Sequence, residues 1–140
     1  MFKIQISSRF TIAVHILTCI NYFYGQYLIT SDFLASSIQV NPVIIRQIIL
    51  QLKAAGFIEV SRGRGGMRLT KNLEEISLYD VYKAVEAVKG GLFHFHENPN
   101  PKCPVGKNIH KALDESLTEI QNALEDKMKE ITVKDIAEKI

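Results

Sequence analysis

Three arginines are interspersed with three glycines between Ser61 and Leu69, and these residue types suit contact with nucleic acid. An arginine guanidinium donates hydrogen bonds to phosphate oxygens and is attracted into a narrow, negatively polarised minor groove. Glycines let the backbone turn tightly and approach a surface without Cβ clashes. We therefore predict that the three arginines contact DNA: Arg62, Arg64 and Arg68.

The segment that precedes this run predicts a helix with clear ends. Asn41 is a favoured N-cap, Pro42 suits the first helical position, and Gly56 can take the left-handed conformation that closes a helix. Four apolar residues recur at helical spacing and predict its buried face: Ile45, Ile48, Ile49 and Leu52. The opposite side carries candidate base-reading residues for a major groove: Asn41, Val43, Arg46 and Gln47.

Two short strands should flank the glycine-rich tip. Ile58 and Val60 alternate with polar neighbours, and Met67 and Leu69 do so after the tip, which predicts two half-buried strands. A helix followed by a basic hairpin suggests the recognition helix and wing of a winged helix-turn-helix domain. An ordinary hairpin with a solvated tip is the alternative, whereas no phosphate-cradling motif opens a helix here.

Two further helices are predicted upstream. Ser8 can cap the first, whose apolar positions recur as far as Tyr24, and Gly25 ends it. A second, short helix starts at Thr30 and runs to about Ser37. It should meet the recognition helix across a tight turn and complete the helix-turn-helix pair.

The remaining half of the chain predicts a connecting helix and a much longer one. The first extends from Leu78 to Val88, and the chain then breaks at two glycines and an Asn-Pro repeat. Pro104 opens the second, whose apolar stripe extends over about 40 Å and comprises Ile109, Leu113, Leu117, Ile120, Leu124, Met128 and Ile131. The rest of the chain could bury part of this stripe, but a second copy related by two-fold symmetry would bury more of it. Such a homodimer predicts a pseudo-palindromic operator.

The predicted fold class is mainly α with a small β-hairpin wing. Residues 1–73 form the predicted winged helix-turn-helix domain, 74–103 the connecting helix and loop, and 104–140 the dimerisation helix with a short C-terminal helix. The first unit carries eight Lys or Arg against two acidic residues, and the rest carries nine against thirteen. Positive charge is therefore concentrated on the half predicted to bind DNA.

Length and composition agree with a globular protein. The 140 residues are 46% hydrophobic, which suffices for a core, and no run of 18 apolar residues predicts a membrane span. No signal-peptide pattern follows the first residues. We expect a cytoplasmic protein with no membrane partner.

Several short motifs occur in a fixed order: Ser8-Arg9-Phe10, Leu34-Ala35, Asn41-Pro42, Ile48 to Ile58, Ser61-Arg62-Gly63, Gly65-Gly66, Leu69, Ile76 to Val81 and Ile131 to Ile136. Together they resemble the Rrf2 family of bacterial winged-helix repressors over nearly the whole chain. Residues 96–107 also resemble a small Bacillus-type subgroup of regulators. The resemblance implies a DNA-binding repressor, and we add Ser8 and Arg9 to the candidate DNA contacts.

Two departures from the family pattern bear on function. Gln39 stands where the family usually has the turn glycine, and Ile44 and Arg46 stand where several members carry an aromatic residue and a glutamate. Because the latter two positions face DNA in those members, their operator sequence cannot be transferred to this chain.

Several Rrf2 members hold an iron–sulfur cluster on three closely spaced cysteines in the loop before the long helix. Here Cys103 is alone in that loop and Cys19 lies on the first helix, so the cluster pattern is absent. We predict no cofactor and no metal ligand. A mixed site stays open, because four other side chains lie near Cys103 in sequence: His94, His96, Glu97 and His110.

Cys103 is also a candidate redox sensor. If Pro104 is the first helical residue, Cys103 is the N-cap, where the helix dipole and nearby Lys102 and Lys107 favour a thiolate. The alternative is that Cys103 only caps the helix or packs under the loop, while Cys19 is expected in the core. A small-molecule effector between the wing domain and the long helix also stays open.

No residue pattern indicates an enzyme. His15 is the only histidine of the N-terminal domain, and sequence spacing pairs it with no Ser, Cys or carboxylate. The alternative function is a winged-helix protein-interaction module that binds no specific DNA. The arginine cluster of the wing favours the DNA-binding interpretation.

Overall fold

A computed structural model describes residues 6–61, 66–86 and 91–140. Its helices are α1 (Ser8–Phe23), α2 (Ser31–Ile38), α3 (Pro42–Ala54), α4 (Leu78–Ala84), α5 (Pro104–Glu130) and α6 (Val133–Ala137). A two-stranded antiparallel sheet comprises β1 (Ile58–Ser61) and β2 (Gly66–Leu69), and a 3₁₀ turn covers Leu73–Glu75. This arrangement confirms the mainly α fold with a small hairpin.

The ends of α1 differ from those predicted. Ser7, rather than Ser8, is the N-cap, because its side-chain oxygen accepts a hydrogen bond from the Arg9 backbone N–H at 3.1 Å. The helix ends at Phe23, and Tyr24 is exposed instead of lying on the apolar face. Gly25 adopts a positive φ of 81° directly after it, which turns the chain away from the helix axis.

The helix-turn-helix pair forms where it was predicted. The Thr30 hydroxyl caps α2 by accepting from the Phe33 N–H at 3.1 Å, and the Asn41 side chain caps α3 by accepting from the Val43 N–H at 2.8 Å. Between the two helices Gln39 adopts the left-handed conformation, with φ 60° and ψ 48°. Gln39 therefore occupies the left-handed turn position at which the family usually has glycine. The chain bends by 113° between α2 and α3.

The hairpin pairs Ile58 with Leu69, Glu59 with Arg68 and Val60 with Met67. Ile58 and Met67 are buried, but Val60 is 39% exposed, so the predicted core face of β1 is only half formed. Burial falls along β1 because the strand leads away from the core toward the tip. The Met67 N–H also donates to the Ile29 carbonyl at 3.0 Å, which fixes β2 to the segment between α1 and α2.

One hydrophobic core extends across the three predicted units. It contains Ile16 and Leu17 of α1, Ile48 of α3, Val81 of α4 and Val133 of α6, all fully buried. The junction between α5 and α6 is held by two backbone hydrogen bonds, from the Leu78 N–H to the Ile131 carbonyl and from the Val133 N–H to the Ile76 carbonyl. Helices α4 and α6 both begin with a capping box, which satisfies their first N–H groups. The predicted divisions at residues 73 and 103 therefore do not separate independent cores.

Helix α5 is 27 residues long, or about 40 Å. Its apolar stripe divides in two: Ile120 is 51% exposed, whereas Met128 is 8% exposed and belongs to the core of its own chain. Met128 therefore packs in the core of its own chain instead of lying on the exposed surface, so the structure gives no support to its assignment to a dimer interface. Ile131 lies beyond the helix as its C-cap. Val88, predicted for the connecting helix, lies outside the described residues.

Within the described ranges no single helix is long and apolar enough to cross a membrane. The pair α2 and α3 passes that length and composition test only when taken together, across their bend of 113°.

Candidate nucleic-acid interface

The outer side of α3 presents a continuous exposed strip. The strip comprises Val43, Arg46, Gln47 and Leu50, and all four are exposed. Arg46 and Gln47 lie three and four residues after Val43, and Leu50 lies seven residues after it, so the four share one helix face. Leu50, 64% exposed, was missed by the sequence analysis. Its position seven residues after Val43, outside the buried stripe, is the signal that could have identified it. We call these four residues the α3 strip.

Three other predicted contacts are Asn41, Ser8 and Arg9. The Asn41 side-chain oxygen accepts a hydrogen bond from the Val43 N–H at 2.8 Å, so this side chain caps α3 in the absence of DNA. Ser8 is exposed in the first turn of α1. Next to it, Arg9 Nη2 donates to Gln47 Oε1 at 2.6 Å. The structure therefore brings residues from α1 and α3 together, although 38 positions separate them in sequence.

The wing arginines have different surroundings. Arg68 donates from Nε to the Glu59 carboxylate directly across the hairpin, and this ion pair raises the pKa of Arg68. Both side chains are substantially exposed, so solvent weakens the interaction. Arg68 is thus partly neutralised by Glu59, which the sequence prediction did not anticipate. Arg62 and Arg64, the other predicted wing contacts, lie outside the described residues.

The loop before α5 ends at Cys103, which is the N-cap of the helix as predicted. Its thiol is half-buried and makes no side-chain capping hydrogen bond. The backbone N–H groups of Gly106 and then Val105 lower the pKa of the Cys103 thiol. The helix N-terminus, rather than the predicted lysines, therefore accounts for this shift.

Two histidines of this region, His96 and His110, pack against each other, and His110 also packs against the ring of Phe95. Phe95 and His110 have ring centroids 4.7 Å apart, and His96 meets His110 edge-on at 5.0 Å. His110 Nε2 is buried without a hydrogen-bond partner among the described residues. In the same part of the chain, no three His, Cys, Asp or Glu side chains are placed to hold a metal ion.

The other cysteine lies in the core, as expected. Cys19 is buried on α1, and its sulfur lies 3.3 Å from the Ser37 hydroxyl oxygen of α2. The same hydroxyl lies 3.1 Å from His15 Nε2. These polar contacts join α1 to α2, the first helix of the helix-turn-helix pair.

Two shallow grooves could accept a small molecule. One, of about 330 Å³, lies between the C-terminal end of α1 and the chain after β2, where Asn21, Thr70 and Asn72 give it a polar lining. Another, of about 250 Å³, lies between Phe93 and Phe95 of the loop and the middle of α5. This second groove is formed by the connecting loop and α5 and by no residue of the wing domain, so an effector cleft between the wing domain and α5 stays a prediction.

The family model described as "Rrf2: Iron-dependent Transcriptional regulator" matches residues 6–139. The chain belongs to the Rrf2 family. It is 41% identical over 132 residues to YwnA of Bacillus subtilis (strain 168), named as an HTH-type transcriptional regulator, with 94% of this chain and 96% of YwnA covered. Like these Rrf2 relatives, the protein is a DNA-binding transcriptional regulator and not an enzyme.

Solved structures share the fold of this chain. A crystal structure of a protein described as DNA-binding is 36% identical, has a TM-score of 0.72, and covers 92% of this chain and 98% of its own. CymR, described as the global cysteine regulator of B. subtilis, is 18% identical, with a TM-score of 0.71 and coverage of 100% and 99%. The resemblance to CymR concerns the fold alone.

The iron named in the Rrf2 description does not fit the residues of this chain. There are two cysteines, and Cys19 is buried in contact with Ser37, whereas Cys103 begins α5. An iron–sulfur cluster is usually held by four thiolate or imidazole ligands. The described loop residues assemble no such set around Cys103, so this site offers no basis for iron binding.

Proposed function

We propose that the protein represses transcription by binding a pseudo-palindromic operator as a homodimer. The α3 strip is the observation that carries the sequence-reading part of this proposal. It presents exposed polar and apolar side chains on one helix face, beside the N-terminus of α1. A helix of this kind fits a major groove, where such side chains contact base edges.

The exposed half of the α5 stripe supports the homodimer. Leu113 and Ile120 are exposed at helical spacing on the N-terminal and middle parts of α5, whereas Leu124 and Met128 pack on their own core. Association of two copies through residues 109–120 would remove this apolar surface from water. The two DNA-binding domains of such a homodimer would be related by two-fold symmetry, so the operator would need two half-sites related by the same symmetry.

Selection of bound fragments from random duplex DNA tests this function. We expect one recovered motif with two-fold symmetry and half-sites at least about one helical turn apart. Affinity should fall steeply as salt rises, because phosphate contacts release counterions. Recovery of no motif, with binding that salt abolishes equally on all duplexes, would instead favour the protein-interaction module.

Repression needs a separate measurement. When the recovered operator overlaps a promoter in a purified transcription reaction, the protein should lower transcript yield in proportion to operator occupancy. Arg46→Ala removes an exposed side chain of the α3 strip, so it should require a higher protein concentration for the same effect. Increased transcription on operator binding would identify an activator instead.

A further inference from the structure

The hydrogen bond between Arg9 and Gln47 constrains how the α3 strip can read a base. Arg9 lies in the first turn of α1, where its backbone N–H is fixed by the Ser7 cap. Its guanidinium Nη2 donates to Gln47 Oε1 at 2.6 Å. Gln47 lies one turn after Val43 on the exposed side of α3. An α1 residue therefore holds the amide of a candidate base-reading side chain.

The orientation of the Gln47 amide follows from the chemistry of its partner. A guanidinium has N–H donors and no acceptor, so only the amide oxygen can face Arg9 favourably. A flipped amide would place its NH₂ donors against the N–H donors of Arg9. The contact thus turns Oε1 toward Arg9 and leaves the two Nε2 N–H groups for other partners.

This contact disfavours one pattern of base recognition. Glutamine reads adenine bidentately by accepting from N6 with its amide oxygen and donating to N7. Arg9 occupies one of the two lone pairs of that oxygen and places its own positively charged N–H donors beside it, so a donor such as adenine N6 is repelled there. Arg9 carries further N–H donors beside the Nε2 N–H groups of Gln47. Adjacent donors match guanine, whose O6 and N7 are both acceptors in the major groove.

We propose that Arg9 is a specificity-determining residue that, by holding Oε1 of Gln47, makes this pair select guanine over adenine in each operator half-site. The proposal rests on the proposed function, because it requires α3 to lie in a major groove. A hydrogen bond with a charged donor is stronger than a neutral one, and exclusion of water at the DNA surface strengthens it further.

The test compares base preferences rather than affinity alone. Selection with the wild type should yield a position in each half-site where guanine exceeds adenine by roughly tenfold or more. Arg9→Ala releases Oε1 and should shift that position toward adenine. Arg9→Met keeps the aliphatic stem without a donor, and should give the same shift. Lys111→Ala is the control, since it removes one exposed positive charge on α5, outside the α3 strip, and leaves the Gln47 contact in place.

A substitution at Gln47 provides a second readout. Gln47→Glu keeps an acceptor for Arg9 but removes both amide donors, so the guanine preference at this position should fall. Circular dichroism melting of each variant verifies that the fold is intact. If both Arg9 variants bind all duplexes more weakly yet retain every base preference, the inference is overturned and Arg9 contacts phosphate. If the wild type recovers no motif at all, the proposed function fails and the inference fails with it.

Discussion

Gly66 lies so close to Ile29 that a Cβ atom on Gly66 would stand 2.9 Å from the Ile29 carbonyl oxygen. The same carbonyl accepts a hydrogen bond from the Met67 N–H at 3.0 Å. Gly66 also has a φ of 64°, in the left-handed region that glycine adopts without strain. The base of the wing is therefore fixed to the segment between α1 and α2 by a contact that only glycine permits.

Replacing Gly66 by alanine should destabilise the protein by more than backbone strain alone. The left-handed conformation costs an alanine about 1 to 2 kcal/mol, and the Cβ contact with Ile29 adds to that cost. Gly56→Ala is the matched control, because Gly56 has a φ of 81° but nothing within 4 Å of its Cβ position. The free energy of unfolding in urea should therefore fall further for Gly66→Ala. Equal losses for both variants would show that the Ile29 contact is relieved at no cost.

The close neighbour of Gly66 could not be predicted from the sequence. The glycines of the wing were predicted to allow a close approach to DNA, and for Gly66 the close approach is to Ile29. Local features such as the Asn41 and Thr30 caps were predictable, because each depends on residues within one turn. The contact between Arg9 and Gln47 depends on how α1 packs against α3, which hydrophobic periodicity does not specify.

The ion pair between Glu59 and Arg68 should weaken non-specific DNA binding by the wing. Glu59 engages the Arg68 guanidinium across the hairpin and so places a negative charge beside this candidate DNA contact. Glu59→Gln should therefore raise affinity for random duplex severalfold at low salt and steepen the salt dependence by up to about one phosphate contact. Fluorescence anisotropy at several salt concentrations measures both quantities.

An acidic residue far from the wing serves as the control for this experiment. Glu115→Gln changes the net charge by the same amount on the exposed surface of α5. It should alter the salt dependence less than Glu59→Gln does. Identical behaviour of the two variants would mean that net charge alone, and not the release of Arg68, controls the affinity.

The α5 stripe illustrates a different limit of prediction. The helical spacing of its apolar residues was predicted correctly. That spacing alone does not show which turns of the helix face the protein's own core and which could face a partner. Met128 is buried in the core of its own chain, whereas Ile120 two turns earlier stays exposed. This division depends on where the helix passes the end of the domain, and therefore on tertiary packing.

Ile120→Glu should convert the proposed dimer into a monomer without unfolding the chain. A carboxylate in an apolar interface would be desolvated without a partner, which costs about 3 kcal/mol or more. Because Ile120 is exposed in the single chain, its helix content should be retained. Asn122→Glu places the same charge on another exposed face of α5 and should remain dimeric. Sedimentation at micromolar concentration distinguishes these states, and a monomeric wild type would contradict the proposal.

The last expectation concerns the reactivity of Cys103, which we propose as a redox-sensitive residue. The Gly106 and Val105 N–H groups lower the pKa of its thiol, so its thiolate should form at a lower pH than that of an ordinary cysteine. Since the thiolate is the nucleophile, Cys103 should react faster than a free thiol at pH values below the ordinary pKa. Cys19 is buried and should react slowly at every pH.

Alkylation by iodoacetamide as a function of pH measures this shift, with Cys19→Ser isolating Cys103 and Cys103→Ser isolating Cys19. Lys102→Gln and Lys107→Gln should leave the midpoint nearly unchanged, because the backbone N–H groups cause the shift. If the thiol regulates binding, peroxide should change operator affinity in the wild type and not in Cys103→Ser. Oxidation can regulate binding only if it changes the free energies of the DNA-competent and DNA-incompetent dimers by different amounts. A midpoint equal to that of a free thiol, or an affinity unaffected by peroxide, would leave Cys103 with only its structural place at the start of α5.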